Sequence, residues 1–132
     1  MAPLQLPGGV EMVIRVRGEE TAGAFTLLTD CAPPGWSLPP HSHRAESETI
    51  HITAGRLRMT IGAVERELGP GDTVHIPAGV VHEGGTAGAE PVERVVVFAP
   101  AGMERLFEDL AATDEPARMA ELVRDHGWEF PS

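Results

Sequence analysis

The sequence predicts an all-β fold, an antiparallel sandwich or barrel, followed by two short C-terminal helices. Three observations carry this. Apolar and polar residues alternate with a period of two in several short runs. Glycine and proline separate those runs. No helical periodicity interrupts them before Gly102. Many short strands with no helix between them leave two packed sheets or one closed sheet as the stable arrangement.

The first strand spans Val10 to Val16, with Val10, Met12, Ile14 and Val16 on one side. Ala24 to Thr29 is a second short run, and Thr49 to Thr53 a third. Leu57, Met59 and Ile61 then alternate with Arg58 and Thr60, and Gly62-Ala63 turns that strand back into Val64 to Leu68. Gly69-Pro70-Gly71 is a strong turn signal, because proline presets φ and glycine accepts positive φ. Thr73 to Ile76 and Val92 to Phe98 complete the set. After Gly102 the period changes: Met103, Leu106, Phe107 and Leu110 share one helical face. A second helix starts with Asp114 as N-cap and Pro116 in its first turn. It carries Met119, Leu122 and Val123, and ends at Gly127. The predicted division is residues 1–102 for the barrel and 103–132 for a helical segment, whose apolar faces must cover the barrel or a partner subunit.

Composition narrows the function classes. The chain has 132 residues, sufficient for one domain with a real core. Acidic residues outnumber basic ones 20 to 10, and the formal charge of −10 repels phosphate backbones, which argues against nucleic-acid binding. All cations are arginine, and tyrosine, lysine and asparagine are absent. The single Cys31 excludes an intrachain disulfide and fits a reducing compartment. The N-terminal residues have neither a basic start nor a long apolar run, so no signal peptide or membrane span is expected, and the expected location is the cytoplasm.

The chemistry concentrates in two stretches. In Gly35-Trp-Ser-Leu-Pro-Pro-His41-Ser-His43-Arg-Ala-Glu-Ser-Glu48, histidines two apart on an extended segment project to one face. Pro39 and Pro40 stiffen the approach. Glu48, in the next strand, reaches the same point from the side. Gly71-Asp-Thr-Val-His-Ile-Pro77-Ala-Gly79-Val-Val-His82 then supplies a strand, a tight turn and a third histidine. His41, His43, His82 and Glu48 are a donor set for one divalent transition ion, with positions left open for water, substrate or oxygen. Iron, nickel, manganese, cobalt and zinc are all compatible with it.

These stretches resemble the two signature motifs of the cupins. Gly35, His41, His43, Glu48 and Gly55 fit the first motif without a gap, and Gly71, Pro77, Gly79 and His82 fit the second. Thr86 stands where the second motif has asparagine, which puts a local turn in question and not the metal. The chain more closely resembles single-domain bacterial cupins of the quercetin-dioxygenase-like kind, which continue as Pro100-Ala101-Gly102-Met103-Glu104-Arg105 does here. The resemblance implies a double-sheet jelly roll, a homodimer and a small-molecule substrate. It implies a dioxygenase-like reaction on an aromatic, diketone or polyketide-like molecule, with Glu48 as catalytic base. A redox-neutral isomerase, cyclase or lyase is the alternative, and a non-catalytic ligand-binding module the third reading.

Other residues are weighed against these. Glu46 competes with Glu48, but Glu48 fits the register. If Glu48 points inward, Ile50 and Ile52 do too and His51 points outward. The face of His75 is open, leaving it a pocket candidate. Arg58 is a candidate cation for an acidic substrate, although such an arginine usually lies on the wet face. Trp36 walls the pocket mouth or simply packs. Met59, Ile61, Val74, Ile76, Val95 and Val97 read as core or pocket lining, Cys31 as a small buried hydrophobe, and His126 as structural at a helix end.

Overall fold

The computed structural model describes residues 2–132. In chain order its elements are β1 (Leu4–Gln5), β2 (Glu11–Val16), β3 (Thr26–Ala32), β4 (Ser37–His43), β5 (Ser47–Ala54), β6 (Leu57–Ile61), β7 (Val64–Leu68), β8 (Thr73–Ile76), β9 (His82–Thr86) and β10 (Val92–Ala99). Helices α1 (Met103–Ala111) and α2 (Pro116–Asp125) follow, and then β11 (Trp128–Glu129). Every strand pairing is antiparallel. One sheet has the order β1-β2-β3-β10-β5-β8 and the other β11-β4-β9-β6-β7. This is the antiparallel all-β arrangement that the alternation predicts, in the double-sheet form that the resemblance implies.

The inward side chains of the larger sheet form levels, because cross-strand partners lie at one height. Thr26, Phe98 and Glu48 share a level, Leu28, Val96 and Ile50 the next, and Asp30, Arg94 and Ile52 the third. The middle level is wholly apolar and almost fully buried. Val95 and Val97 do not belong to it. They sit half-buried on the outer face, while Val92, Arg94, Val96 and Phe98 point inward. A run of three valines has no parity of its own, and the arginine two residues before Val96 masked the inward register. Cys31 shares that outer face and is half-buried rather than core.

Two chain breaks need glycine. Gly55 has φ +76°, and a Cβ there would lie 2.2 Å from the Pro91 carbonyl oxygen, so only a hydrogen fits where β5 turns beside β10. Gly127 has φ +83° just beyond α2, reversing the chain into β11. Strands β1, β4, β9 and β11 escaped the alternation criterion. β1 and β11 are two residues long; β4 contains Pro39-Pro40, across which its ladder with β9 shifts register; β9 is glycine-rich.

The helices lie against the barrel through the apolar stripe that the sequence shows. Met103, Leu106, Phe107 and Leu110 are buried, and the Phe107 ring centroid is 5.9 Å from that of Phe98. Residue Glu115, not Asp114, occupies the N-cap of α2, with extended backbone and no side-chain cap bond. Pro116 directly after it presets the helical φ and has no N–H to satisfy, so the start needs no aspartate cap. The segment after residue 102 is not purely helical, since β11 rejoins the smaller sheet beside β4.

Glu104 explains the Pro-Ala-Gly-Met-Glu-Arg stretch. Its carboxylate is 2% exposed and accepts from Thr26 Oγ1 at 2.5 Å, from the Gly102 N–H at 2.9 Å and from the Gly18 N–H at 2.7 Å. Burial works to raise its pKa, but these three bonds outweigh it and hold the carboxyl below its usual range. One side chain thus ties α1 to β3 and to the turn at residues 18–21.

Candidate metal centre

His41 and His43 reach the barrel interior from β4, and His82 from the start of β9, directly opposite His41. Glu48 comes from β5 in the other sheet, so the group bridges both layers. All four are buried. The three imidazoles offer ring nitrogens within 4.8 Å of one another. Glu48 Oε1 lies 3.2 Å from His43 Nε2 and 3.3 Å from His82 Nε2.

The ring orientations suit a cation. His41 Nδ1 is 2.8 Å from the Pro39 carbonyl and His82 Nδ1 is 3.0 Å from the Val80 carbonyl. A carbonyl only accepts, so both Nδ1 atoms carry the proton and the neutral rings present Nε2 lone pairs. His82 Nε2 is buried and has no hydrogen-bond partner, its contact with Glu48 being out of alignment. A lone pair facing a carboxylate oxygen at 3.3 Å is repulsive unless positive charge sits between them, and either a proton or a metal ion supplies it. The donor set therefore fits a divalent transition ion.

Burial keeps His41 neutral, whereas Glu48 pulls His82 toward the charged form. Burial lowers the pKa of His41 to about 4, so it is neutral at neutral pH. Burial also opposes charge on Glu48, but the bond and charge of His43, the nearby His82 ring and the charge of Arg94 hold it below the usual carboxylate range. For His82 burial lowers the pKa, and Glu48 outweighs burial and raises it. Trp128 from β11 stacks on His41 with ring centroids 4.5 Å apart and planes 10° apart. It also meets His43 edge-on at 4.8 Å. Its Nε1–H donates to Met103 Sδ at 3.3 Å, which fixes the indole.

The four residues line a cavity of about 300 Å³ whose walls are mostly apolar, including Met12, Leu28, Ile50, Met59 and Val96. Trp36 lines the same cavity. Of the other candidates, His51 points outward as expected, its Nδ1 2.7 Å from Thr73 Oγ1. His75 is exposed beside Thr49, which removes it as a pocket residue: Val74 and Ile76 take the inward positions of β8. Arg58 is on the wet face. Glu46 is half-buried and does not line the cavity. Thr86 ends β9 with its N–H on the Trp36 carbonyl, so the turn survives without asparagine.

Sequence reasoning missed the Arg94–Asp30 pair. Arg94 Nε and Nη2 donate to the two carboxylate oxygens of Asp30 at 2.9 and 2.6 Å, and the guanidinium lies over Trp36 at 5.1 Å. The available signal was the cross-strand placement of an arginine and an aspartate within two apolar runs. Trp128 was missed for want of any local pattern.

The sequence profile of the cupin domain matches residues 29–98, more than half of the chain. The chain belongs to the cupin family. Among relatives it is 33% identical over 64 residues to a quercetin 2,3-dioxygenase of Bacillus subtilis (strain 168), covering 48% of this cupin and 19% of that protein. The match spans less than a fifth of that relative's length. The structure is similar to that of KdgF from a Halomonas species, with a TM-score of 0.70, 16% identity, and coverage of 80% of this chain and 91% of that one. It is also similar to the DMSP lyase DddQ from Ruegeria pomeroyi, with a TM-score of 0.53, 29% identity, and coverage of 58% and 39%. No described helix of this cupin is long and apolar enough to cross a membrane.

Proposed function

We propose that this cupin is a metal-dependent enzyme acting on a small oxygenated organic molecule, with a dioxygenase-like reaction. One observation carries the reading: three buried imidazoles and one carboxylate converge on the wall of a mostly apolar cavity. His41, His43, His82 and Glu48 would hold the ion. A bound divalent ion supplies Lewis acidity toward chelating oxygens, and a redox-active one also exchanges electrons with dioxygen. The chain's own contribution is then positional. His41 and His82 keep their Nδ1 protons on backbone carbonyls, so their Nε2 atoms stay turned inward. The apolar walls exclude water from the reacting atoms. Glu48 is the carboxylate at the histidine end, and it takes the substrate proton at its carboxylate oxygen. The similarity to a quercetin 2,3-dioxygenase supports the oxygenase reading.

A redox-neutral lyase is the second reading, favoured by the similarity to a DMSP lyase. The homodimer implied by the family resemblance, and the cytoplasmic location that the single cysteine fits, belong to the same proposal. Elemental analysis after expression, followed by oxygen uptake across a panel of phenols and β-diketones, separates the readings. The oxygenase proposal expects one redox-active ion per chain, oxygen consumption with at least one chelating substrate, and loss of both in His82→Ala. Bound zinc with no oxygen uptake defeats it in favour of the lyase, and a ligand carried without turnover defeats both.

A further inference from the structure

We infer that Arg94, held by Asp30, is a ligand-orienting group at the end of the cavity away from the histidines. The molecule it orients carries one negative charge at a chelating head, an apolar body, and a neutral hydrogen-bonding oxygen at its tail. The head rests on the metal-site reading above; the tail does not.

The geometry comes from the three levels of the larger sheet. Glu48 lies level with Phe98, and Arg94 lies four residues further along the same strand. At about 3.4 Å per residue the two levels are roughly 14 Å apart along the backbone. Leu28, Val96 and Ile50 fill the level between them, and all of these residues line one cavity. The interior therefore has two polar groups rooted at separate levels of the sheet with an apolar level between them, and Arg94 remains close enough for its charge to act on Glu48.

The cost of the ion pair argues that it has a use. Arg94 and Asp30 are 11% and 1% exposed at the side chain, within an apolar wall. Hydrophobic residues of similar volume usually stabilise such a position at least as well as a buried pair. The pair also leaves donors unspent. Of five guanidinium N–H groups, Nε and Nη2 are committed to Asp30, and Nη1 makes no hydrogen bond among the described residues. Trp36 covers one face of the guanidinium, which fixes its plane. A fixed donor at the wall of a mostly apolar cavity recognises an acceptor oxygen in one place and one direction.

Charge assigns the two ends. Arg94 and Asp30 cancel, so the far end is neutral overall and a second carboxylate there would face that of Asp30. At the near end neutral imidazoles, one carboxylate and a divalent ion leave a charge near +1, which one enolate or phenolate neutralises. The tail is accordingly a phenol, hydroxyl or carbonyl.

The test compares probes that differ only at the tail. With zinc-loaded protein, 1-(4-hydroxyphenyl)butane-1,3-dione is titrated against 1-phenylbutane-1,3-dione. With metal-stripped protein, 4-propylphenol is titrated against propylbenzene. In each pair the hydroxyl is expected to tighten binding about five- to tenfold in the wild type, the value of one net hydrogen bond in a dry site. In Asp30→Leu/Arg94→Met, which leaves no unpaired charge, that ratio falls to about one. Arg94→Lys keeps the pair's charge but lacks the planar fork; it lowers the ratio too and serves if the double variant does not fold. A ratio near one in the wild type for the hydrocarbon pair overturns the inference, as does a ratio the variants leave intact. Diketones that fail to bind while the phenol ratio responds to Arg94 refute the chelating head and leave the tail site standing.

Discussion

Replacing Glu104 tests whether the clasp is what docks the helices. In Glu104→Gln the amide keeps one oxygen for Thr26 and Gly102, and turns an NH₂ group toward the Gly18 N–H, which now meets a donor. One charge-assisted bond is lost and a buried N–H is left without an acceptor, a cost of about 2–3 kcal/mol. Glu104→Ala removes all three bonds. Because the Thr26 hydroxyl can rotate toward another acceptor, the loss is about 4 kcal/mol rather than a full threefold sum. Urea unfolding measures both, with midpoint shifts at unchanged slope. The pH dependence has a definite sign. The folded carboxyl titrates below its unfolded value of about 4.3. Its stabilisation is therefore complete above that value and is lost as pH falls through the lower, folded pKa. Wild-type stability should decline below about pH 5, and Glu104→Gln should lack that part of the decline. A Gln variant within about 0.5 kcal/mol of wild type, with the same acid slope, would falsify the clasp.

Trp128→Ala should weaken zinc binding roughly tenfold, because His41 and His43 lose the surface that fixes their ring planes. Trp128→Phe should recover most of it. Equal affinities in calorimetric titration of all three proteins would remove the indole from the site. Gly55→Ala should destabilise by about 3 kcal/mol or more, since a Cβ at positive φ meets the Pro91 carbonyl. A melting temperature close to wild type would show that the β5–β10 corner yields.

Period-two alternation made β2, β5, β6 and β8 legible, because a half-buried strand must place like residues two apart, while the Gly62-Ala63 turn placed the largely exposed β7. It failed where that constraint is absent. Pro39-Pro40 breaks the β4 ladder, the glycines of β9 have no side chain to alternate, and Val95-Val96-Val97 alternates with nothing. Glu48 set the parity of β5 and so placed His51 outward. For β8 the neighbouring residues Val74 and Ile76 allowed either face until the barrel closed on them.

Local order in the chain determined the fold class and the spacing of three histidines and an acid, since strand parity and turn chemistry act within a few residues. Tertiary structure decided which distant side chains meet. Glu48 joins the histidines across two sheets, Arg94 turns inward onto an aspartate 64 residues away, and Trp128 comes back to cover His41. Such pairings depend on register between strands far apart in sequence, and the energy that selects them is burial shared by the whole barrel.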